Sequence, residues 1–379
     1  MARMDAIAPD TDTGIAAVAP VVPVAPVFCT IVPPHVLDKL AQAEDPEVSG
    51  PARRTLEADS AQRTRRRLTT VVGTRAPDAP AAPADGTAAA SGEPRRTIYD
   101  CGHRTALPGK KVRAEGTPPG QDATVNRAYA GLGATFELLL SAYGRDSLDG
   151  AGLPLIASVH YSRDYNNAFW DGDQMVFGDG DGQIFLDFTI PVDVIGHELA
   201  HGLTQYTANL AYFGQPGALN ESVSDVFGAL VKQYTLDQTA EQADWLIGEG
   251  LLAPGVNGVA LRSMKAPGTA YDDPALGKDP QPATMENYVR TSRDNGGVHI
   301  NSGIPNHAFY LFATRLGGKA WERAGQVWYD VLTSGELTVD ADFKDFARQT
   351  LAAARARYGD AAELEAVTKA WSQVGVAVE

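Results

Sequence analysis

The sequence predicts an α+β fold in two halves, the first strand-rich and the second helical, joined by a single helix. Three observations carry that prediction. Between residues 97 and 177, short apolar stretches are punctuated by glycine, asparagine and aspartate, as strands are by turns. From residue 219 onward apolar residues recur with helical spacing. Between these two regimes lies Val194-Ile195-Gly196-His197-Glu198-Leu199-Ala200-His201-Gly202-Leu203-Thr204, a helical stretch with two histidines four residues apart.

Composition narrows the function. The chain has 379 residues, 44% of them hydrophobic, which is enough for sizeable cores. Its net charge of −15 argues against nucleic acid or an anionic membrane as a partner, and a monomer is expected. No apolar run is long enough to span a membrane. The cysteines are Cys29 and Cys101, too few for a disulfide framework. Asp5, Asp10 and Asp12, with Pro20, Pro23 and Pro26, leave no recognisable signal peptide, yet a secreted protein is expected over a cytoplasmic one.

Taken in order, residues 1–28 are rich in Ala, Val and Pro and are expected to be mobile. An apolar stretch over 28–37 leads into a short helix at 36–43. An arginine-rich segment follows (Arg53, Arg54, Arg63, Arg65, Arg66, Arg67), read as a solvated helix face, a clamp onto the acidic remainder, or a processing site. Residues 76–94 are Ala/Pro/Gly-rich and read as a linker. Residues 1–94 are therefore expected to be an extension outside the main core.

A strand is expected at 97–100 and an amphipathic helix at 125–143, with Tyr129, Leu132, Phe136, Leu139 and Leu140 on one side. Strands at 156–161 and 174–177 flank a polar-aromatic turn at 166–172. The aspartates of 178–182 lack a following bidentate acid, so a hairpin turn is favoured over a calcium loop. Pro191 and Asp193 suit the first turn of the central helix, by ring geometry and by the helix dipole. A second helix is expected at 219–233, and beyond it a nearly all-helical half (304–316, 320–332, 343–358, 361–374) with polar interruptions at 261–264 and 294–303. The domain reading is 1–94 N-terminal extension and linker, 95–234 strand-rich half with the central helix, 235–379 helical half.

The central helix carries H-E-x-x-H. Imidazoles one turn apart on one helical face can share a metal ion, and Glu198 can reach a water on that metal. Zinc takes neutral nitrogen ligands at about 2.0–2.1 Å and in catalytic sites keeps one position open. On the next helix Glu221 supplies a third ligand, and Asp225, one turn on, can fix a ligand histidine's tautomer. His160 and His307 read as structural, and His103 carries no signal. A junction between halves forms the cleft a peptide needs.

His197-Glu198-Leu199-Ala200-His201, Asn220-Glu221-Ser222-Val223-Ser224-Asp225 and Asp294-Asn295-Gly296-Gly297-Val298-His299 together resemble the thermolysin-like zinc metalloproteases, over roughly residues 96–379. Metzincins fit less well, since Thr204 and Thr207 stand where a glycine and a third histidine belong. The resemblance implies a thermolysin-like two-domain fold with the zinc helix between its halves. It makes His197, His201 and Glu221 the ligands of one zinc, and Glu198 the general base. Tyr212 and His299 become the oxyanion stabilisers, with Asp294 orienting that histidine and Asn220 and Asp225 supporting the ligands. Asn167 and Ala168 match the strand that binds substrate backbone, and Arg262 the residue holding a substrate carbonyl. Phe185, Phe188, Val194 and Leu261 match the pocket beyond the scissile bond. Their apolar character implies cleavage before Leu, Phe, Ile or Val.

Two departures modify the expectation. Lys232 stands among Asp193, Asp244 and Glu249, where calcium-rich members place a glutamate, and Val259 replaces another calcium-binding aspartate. Calcium is therefore expected to be weak or absent at both places. The segment Cys29-Thr30-Ile31-Val32-Pro33-Pro34-His35-Val36-Leu37 is similar to the short propeptide of protealysin-like members. It would lie in the cleft, with Pro33 and Pro34 resisting cleavage. Cys29 would ligate zinc, or the segment would simply occlude the cleft, the second being favoured. A maturation cut is expected between about residues 50 and 95, where low sequence regularity suggests a loose chain. The expected product is an endopeptidase acting on peptides or proteins, self-inhibited as a precursor. The alternatives are a gluzincin aminopeptidase, for which no acidic anchor motif is present, and an inactive peptide-binding relative, against which the intact Glu198 argues.

Overall fold

The structure, a computed structural model, describes residues 29–72 and 92–378. The described strands of the first half build one mixed sheet from β1 (Cys29–Thr30), β2 (Arg96–Asp100), β3 (Lys110–Ala114), β4 (Leu155–Val159), β5 (Ala168–Trp170) and β6 (Met175–Phe177). Their spatial order is β1-β5-β6-β4-β2-β3, with β4 parallel to both β2 and β6 and the other pairs antiparallel. In the extension, α1 (Pro34–Leu40) and α2 (Pro46–Val72) follow β1. The long helix α3 (Ala123–Tyr143) starts at Asp122, whose carboxylate accepts from the backbone N–H groups of Thr124 and Val125. It ends at Gly144, whose φ of 65° is the left-handed stop that glycine adopts without strain.

The central helix α4 (Val192–Gln205) and its partner α5 (Gly214–Thr235) form the middle of the molecule. Glycine lets them touch. A Cβ on Gly228 would fall 2.5 Å from the Asp193 carbonyl oxygen, and one on Gly196 would fall 3.1 Å from the Gly228 Cα. Only this close crossing brings the polar face of α5 against the histidines of α4. Beyond them, short ladders β7 (Leu246–Ile247) with β8 (Arg262–Ser263), and β9 (Asp272–Asp273) with β10 (Gly277–Lys278), lead to five helices. These are α6 (Asp294–Asn301), α7 (Gly303–Leu316), α8 (Ala324–Thr333), α9 (Phe343–Tyr358) and α10 (Ala362–Gln373). Trp328 and Trp371 stack in their core with ring planes 4° apart.

Several expectations are corrected. The extension is not outside the core, because Ile31, Val32, Val36, Leu37, Leu40 and Ala52 are buried in the same apolar cluster as α3, α4 and α5. The arginine-rich segment is helix α2 over its described length, so residues 50–72 of the expected maturation window are regular helix and not loose chain. The turn expected at 166–172 contains strand β5, which pairs antiparallel with its neighbour β6 on one side and with β1, remote in sequence, on the other. The glycine-aspartate stretch 178–182 turns without making a hairpin, and Phe185 instead bridges to Leu252. Asp181 is occupied there by the backbone N–H groups of Gln183, Ile184 and Phe185 and by Asn166. The region from 236 to 293 is largely irregular, with the short ladders just described and one 3₁₀ turn at Met285–Asn287, and holds no α-helix. The polar interruption at 294–303 is helix α6, kinked at its start. The expected linker at 76–94, apart from 92–94, and the start at 1–28 lie outside the described residues.

Candidate metal centre and substrate cleft

The α4–α5 crossing sets His197 and His201 against Glu221. The two Nε2 atoms lie 3.1 Å apart. Glu221 faces both with its two oxygens, Oε2 lying 3.6 Å from the His197 Nε2 and Oε1 3.6 Å from the His201 Nε2. Each ring is turned by a bond at its other nitrogen. His197 Nδ1 donates to Asp225 Oδ1 at 2.8 Å, and His201 Nδ1 donates to Asn220 Oδ1 at 2.9 Å. Ser224 Oγ stands 3.0 Å from that same Nδ1. Both Nε2 lone pairs therefore face inward, as neutral imidazole ligands must.

The donor set fits a zinc ion. Two inward lone pairs and a buried carboxylate oxygen (Glu221 Oε2) with no hydrogen-bond partner surround one point. Burial holds His201 down at about 4, so its ring is neutral. Burial alone would raise Glu221, but the charges around it, the His299 imidazolium foremost, outweigh it and keep the carboxyl below its ordinary value. Such a set matches, in donor type and number, the two histidines and one glutamate by which catalytic sites hold zinc. Cys29 of the extension comes within ligand range as well, since one ligand atom each of Cys29, His201 and Glu221 lies within 4.8 Å of the others.

Glu198 sits beside this centre. Its Oε2 accepts from the Trp170 backbone N–H at 2.9 Å, while Oε1 has no partner. Burial, then the charge of Glu221, pushes it well above the usual carboxylate range. On the other side, Tyr212 donates its hydroxyl to Glu221 and lies 3.3 Å from His299 Nε2. Asp294 holds His299 twice, at the backbone N–H (2.9 Å) and at Nδ1 (2.6 Å). This grip needs a kink. Asp294, Asn295, Gly296 and Gly297 have φ of 52°, 49°, 86° and 79°, a left-handed run that Asp, Asn and Gly tolerate best. Burial alone would lower His299, but Asp294 and Glu221 raise it to about 9, so the ring is an imidazolium donor.

The extension threads this cleft. β1 pairs with β5 in the register Cys29 to Trp170 and Thr30 to Phe169. The Ile31 N–H donates to the Ala168 carbonyl at 3.1 Å, and the Val32 N–H to Asn167 Oδ1 at 2.9 Å. His299 Nε2 donates to the Thr30 carbonyl at 3.0 Å, and Arg262 Nη1 to the Ile31 carbonyl at 3.0 Å. Phe185, Phe188, Val194 and Leu261 are buried in the same apolar cluster as Ile31, Val32 and Val36. Pro33 caps α1 and Pro34 fills its first turn. The structure brings Cys29, Asn167, Ala168, Glu198, Tyr212, Arg262, Asp294 and His299 together around the His197–His201–Glu221 group or the segment threading past it. His160 and His307 are structural here: His160 binds Asp179 (2.8 Å) and Asp122 (3.0 Å), and His307 Nδ1 donates to the Met264 carbonyl.

Sequence reasoning missed other contacts. Helix α2 lays Thr55, Asp59 and Gln62 on the segment 161–167. Thr55 Oγ1 accepts from the Asn166 N–H at 3.0 Å, and Gln62 Nε2 donates to Tyr161 at 3.0 Å. Asp59 accepts from Asn167 Nδ2 at 3.1 Å and from the Tyr165 hydroxyl. Their 55/59/62 spacing is helical and legible, but nothing in the sequence names its partner. Asn306 on α7, a further partner of Asp225, leaves no sequence signal.

Comparisons with known proteins agree with this geometry. A family model described as the catalytic domain of thermolysin metallopeptidases matches residues 87–205, and one described as their alpha-helical domain matches residues 208–376. An extracellular metalloprotease of Pectobacterium carotovorum is 56% identical over 288 residues, 76% of this chain and 83% of that protein. Protease PrtS of Photorhabdus sp. is 52% identical, covering 75% of this chain and 77% of its own length. A thermolysin of Alicyclobacillus acidocaldarius is 40% identical over 73% of this chain, which spans about half (50%) of that relative. Among solved structures, the precursor of protealysin from Serratia proteamaculans superposes with a TM-score of 0.81 at 52% identity, covering 92% of this chain and 100% of that one.

Proposed function

The chain belongs to the thermolysin metallopeptidase family, in its protealysin-like branch, and from that premise we infer that His197, His201 and Glu221 hold one zinc ion beside Glu198 as general base. The protein is a zinc-dependent metalloendopeptidase made as a precursor. The observation that carries the residue assignment is the convergence of both Nε2 lone pairs and Glu221 on one point beside Glu198.

Bound zinc supplies positive charge that polarises the scissile carbonyl and acidifies a water. The chain's own residues do the rest. Glu198, through its unpartnered Oε1, takes the proton of the attacking water and delivers it to the leaving amine. His299 and Tyr212 donate to the carbonyl oxygen as charge develops on it. Arg262 Nη1 receives a substrate carbonyl as it receives that of Ile31, and Asn167 with Ala168 pairs with substrate backbone as with Ile31 and Val32.

Residues 1–94 form the extension, propeptide and linker, 95–234 the catalytic half, and 235–379 the helical half. The extension inhibits by lying in the cleft, and the nearness of Cys29 to His201 and Glu221 supports thiolate ligation in addition to occlusion. The apolar pocket of Phe185, Phe188, Val194 and Leu261 favours cleavage before Leu, Phe, Ile or Val. Secretion and a monomeric state are the further parts of the reading. The name of the Pectobacterium relative supports the first, and no helix among the described residues is long and apolar enough to cross a membrane.

A peptide-library digest with the matured enzyme tests this. Cuts should fall before Leu, Phe, Ile and Val, and Glu198→Gln should lower the rate by about 10²–10⁴-fold, the range of general-base catalysis. Preference for charged residues after the cut would remove the specificity reading, and an unimpaired Glu198→Gln would remove the assigned base.

A further inference from the structure

The carboxylate behind His197 is held from more sides than its two roles require. Asp225 Oδ1 accepts from His197 Nδ1 and Arg262 Nη2, each at 2.8 Å. Oδ2 accepts from Arg262 Nε at 2.8 Å and, also at 2.8 Å, from Nδ2 of Asn306. Asn306 is 1% exposed on α7, and its neighbours Ile304, Ala308 and Phe309 are fully buried apolar residues. Its Oδ1 has no partner.

Packing alone does not account for an asparagine here. An unmade acceptor in a buried site destabilises the fold, and leucine, with the same branching and number of side-chain heavy atoms, would avoid that cost. The amide orientation follows from chemistry, since an ionised carboxylate only accepts and so must face the NH₂ group. Burial opposes ionisation of Asp225, but Arg262 and His197 outweigh it and hold the carboxyl well below its ordinary value.

Arg262 serves two masters. Its fork grips Asp225, while Nη1 donates to the Ile31 carbonyl at 3.0 Å, the contact assigned to a substrate carbonyl. A carboxylate tied only to Arg262 and His197 would follow the guanidinium whenever a peptide enters or leaves, and would turn the His197 ring with it. We propose that Asn306 is a positioning residue that fixes Asp225, so that one carboxylate orients the zinc ligand His197 and the peptide-binding Arg262 at once. The proposal rests on the zinc-peptidase reading above.

The test is the zinc dissociation constant, measured by competition with a chromophoric chelator. It uses the full chain in a Glu198→Gln background, so that no processing occurs during titration. Asn306→Leu should weaken zinc binding by about 10–100-fold, the usual effect of losing an outer hydrogen-bond partner. Its metal-free melting temperature should match or exceed the parent's. Asn306→Ala, which cannot overfill the site, carries the same measurement if the leucine variant does not fold. Zinc affinity within twofold of the parent overturns the proposal. So does an affinity loss that tracks a fall in metal-free melting temperature across both variants, which would assign Asn306 to packing. A parent chain that binds no zinc overturns the zinc-peptidase reading itself, and this proposal with it.

Discussion

Lys232 shows how much one side chain can decide. Its Nζ lies 2.6 Å from Asp244, 2.9 Å from Glu249 and 3.6 Å from Asp193. Burial alone would lower the lysine, but the three carboxylates outweigh it and keep the ammonium charged. Burial pushes Asp193 up to about 6 even with Lys232 beside it. We propose that this ammonium supplies, among three acids, the charge a bound cation would, and that Val259, 58% exposed and without a side-chain oxygen, leaves calcium no ligand at its position. We therefore expect a chelator that strips calcium but spares zinc to leave Tm unchanged. Lys232→Met should lower Tm by about 2–3 °C, because breaking a largely buried pair costs about 2 kcal/mol after allowing for the exposed Glu249. A sharp fall in Tm with the chelator alone would contradict this.

At the scale of elements, α2 ties the extension to the catalytic half through Thr55, Asp59 and Gln62. Burial pushes Asp59 up to about 6, against the pull of Tyr165, Arg63 and Asn167. Tyr161 also lies close, as does Arg65 beyond it. A folded pKa raised above the free value means that the contribution is full below the ordinary carboxylate range and is lost as pH rises through 6. Asp59→Asn, neutral throughout, should therefore mature more slowly than the parent, with the gap in processing half-life widening from pH 5 to pH 7.5. A constant gap would contradict it. His35 acts in the opposite sense, since burial holds its ring down at about 4, so docking loses its contribution as pH falls from 6.5 through 4. This tie also marks the limit of sequence reading. The H-E-x-x-H and Asn220–Asp225 motifs were legible because each lies within two helical turns, where periodicity dictates which side chains share a face. The pairing of β5 with β1 and the Asn306 contact were not, because each depends on a partner far along the chain, and the α6 kink was not, because its left-handed run hides the helix behind a polar, glycine-rich stretch.

For the molecule as a whole, the cleft lies where the sheet half meets the helical half, and the extension fills it as an added strand. Backbone groups of Thr30, Ile31 and Val32 use the donors and acceptors assigned to a substrate, so inhibition and catalysis draw on one set of contacts. The proposed function depends on a single zinc ion bound by His197 and His201 of α4 and Glu221 of α5. X-ray absorption at the zinc edge, on the full-length Glu198→Gln protein, tests that claim most directly. The account predicts one zinc per chain, with two imidazole nitrogens and a carboxylate oxygen at about 2.0–2.1 Å. A sulfur at about 2.3 Å would mark Cys29 as the fourth ligand, and its absence would leave occlusion alone. A chain without zinc, or a zinc with fewer than two imidazoles around it, would contradict the account.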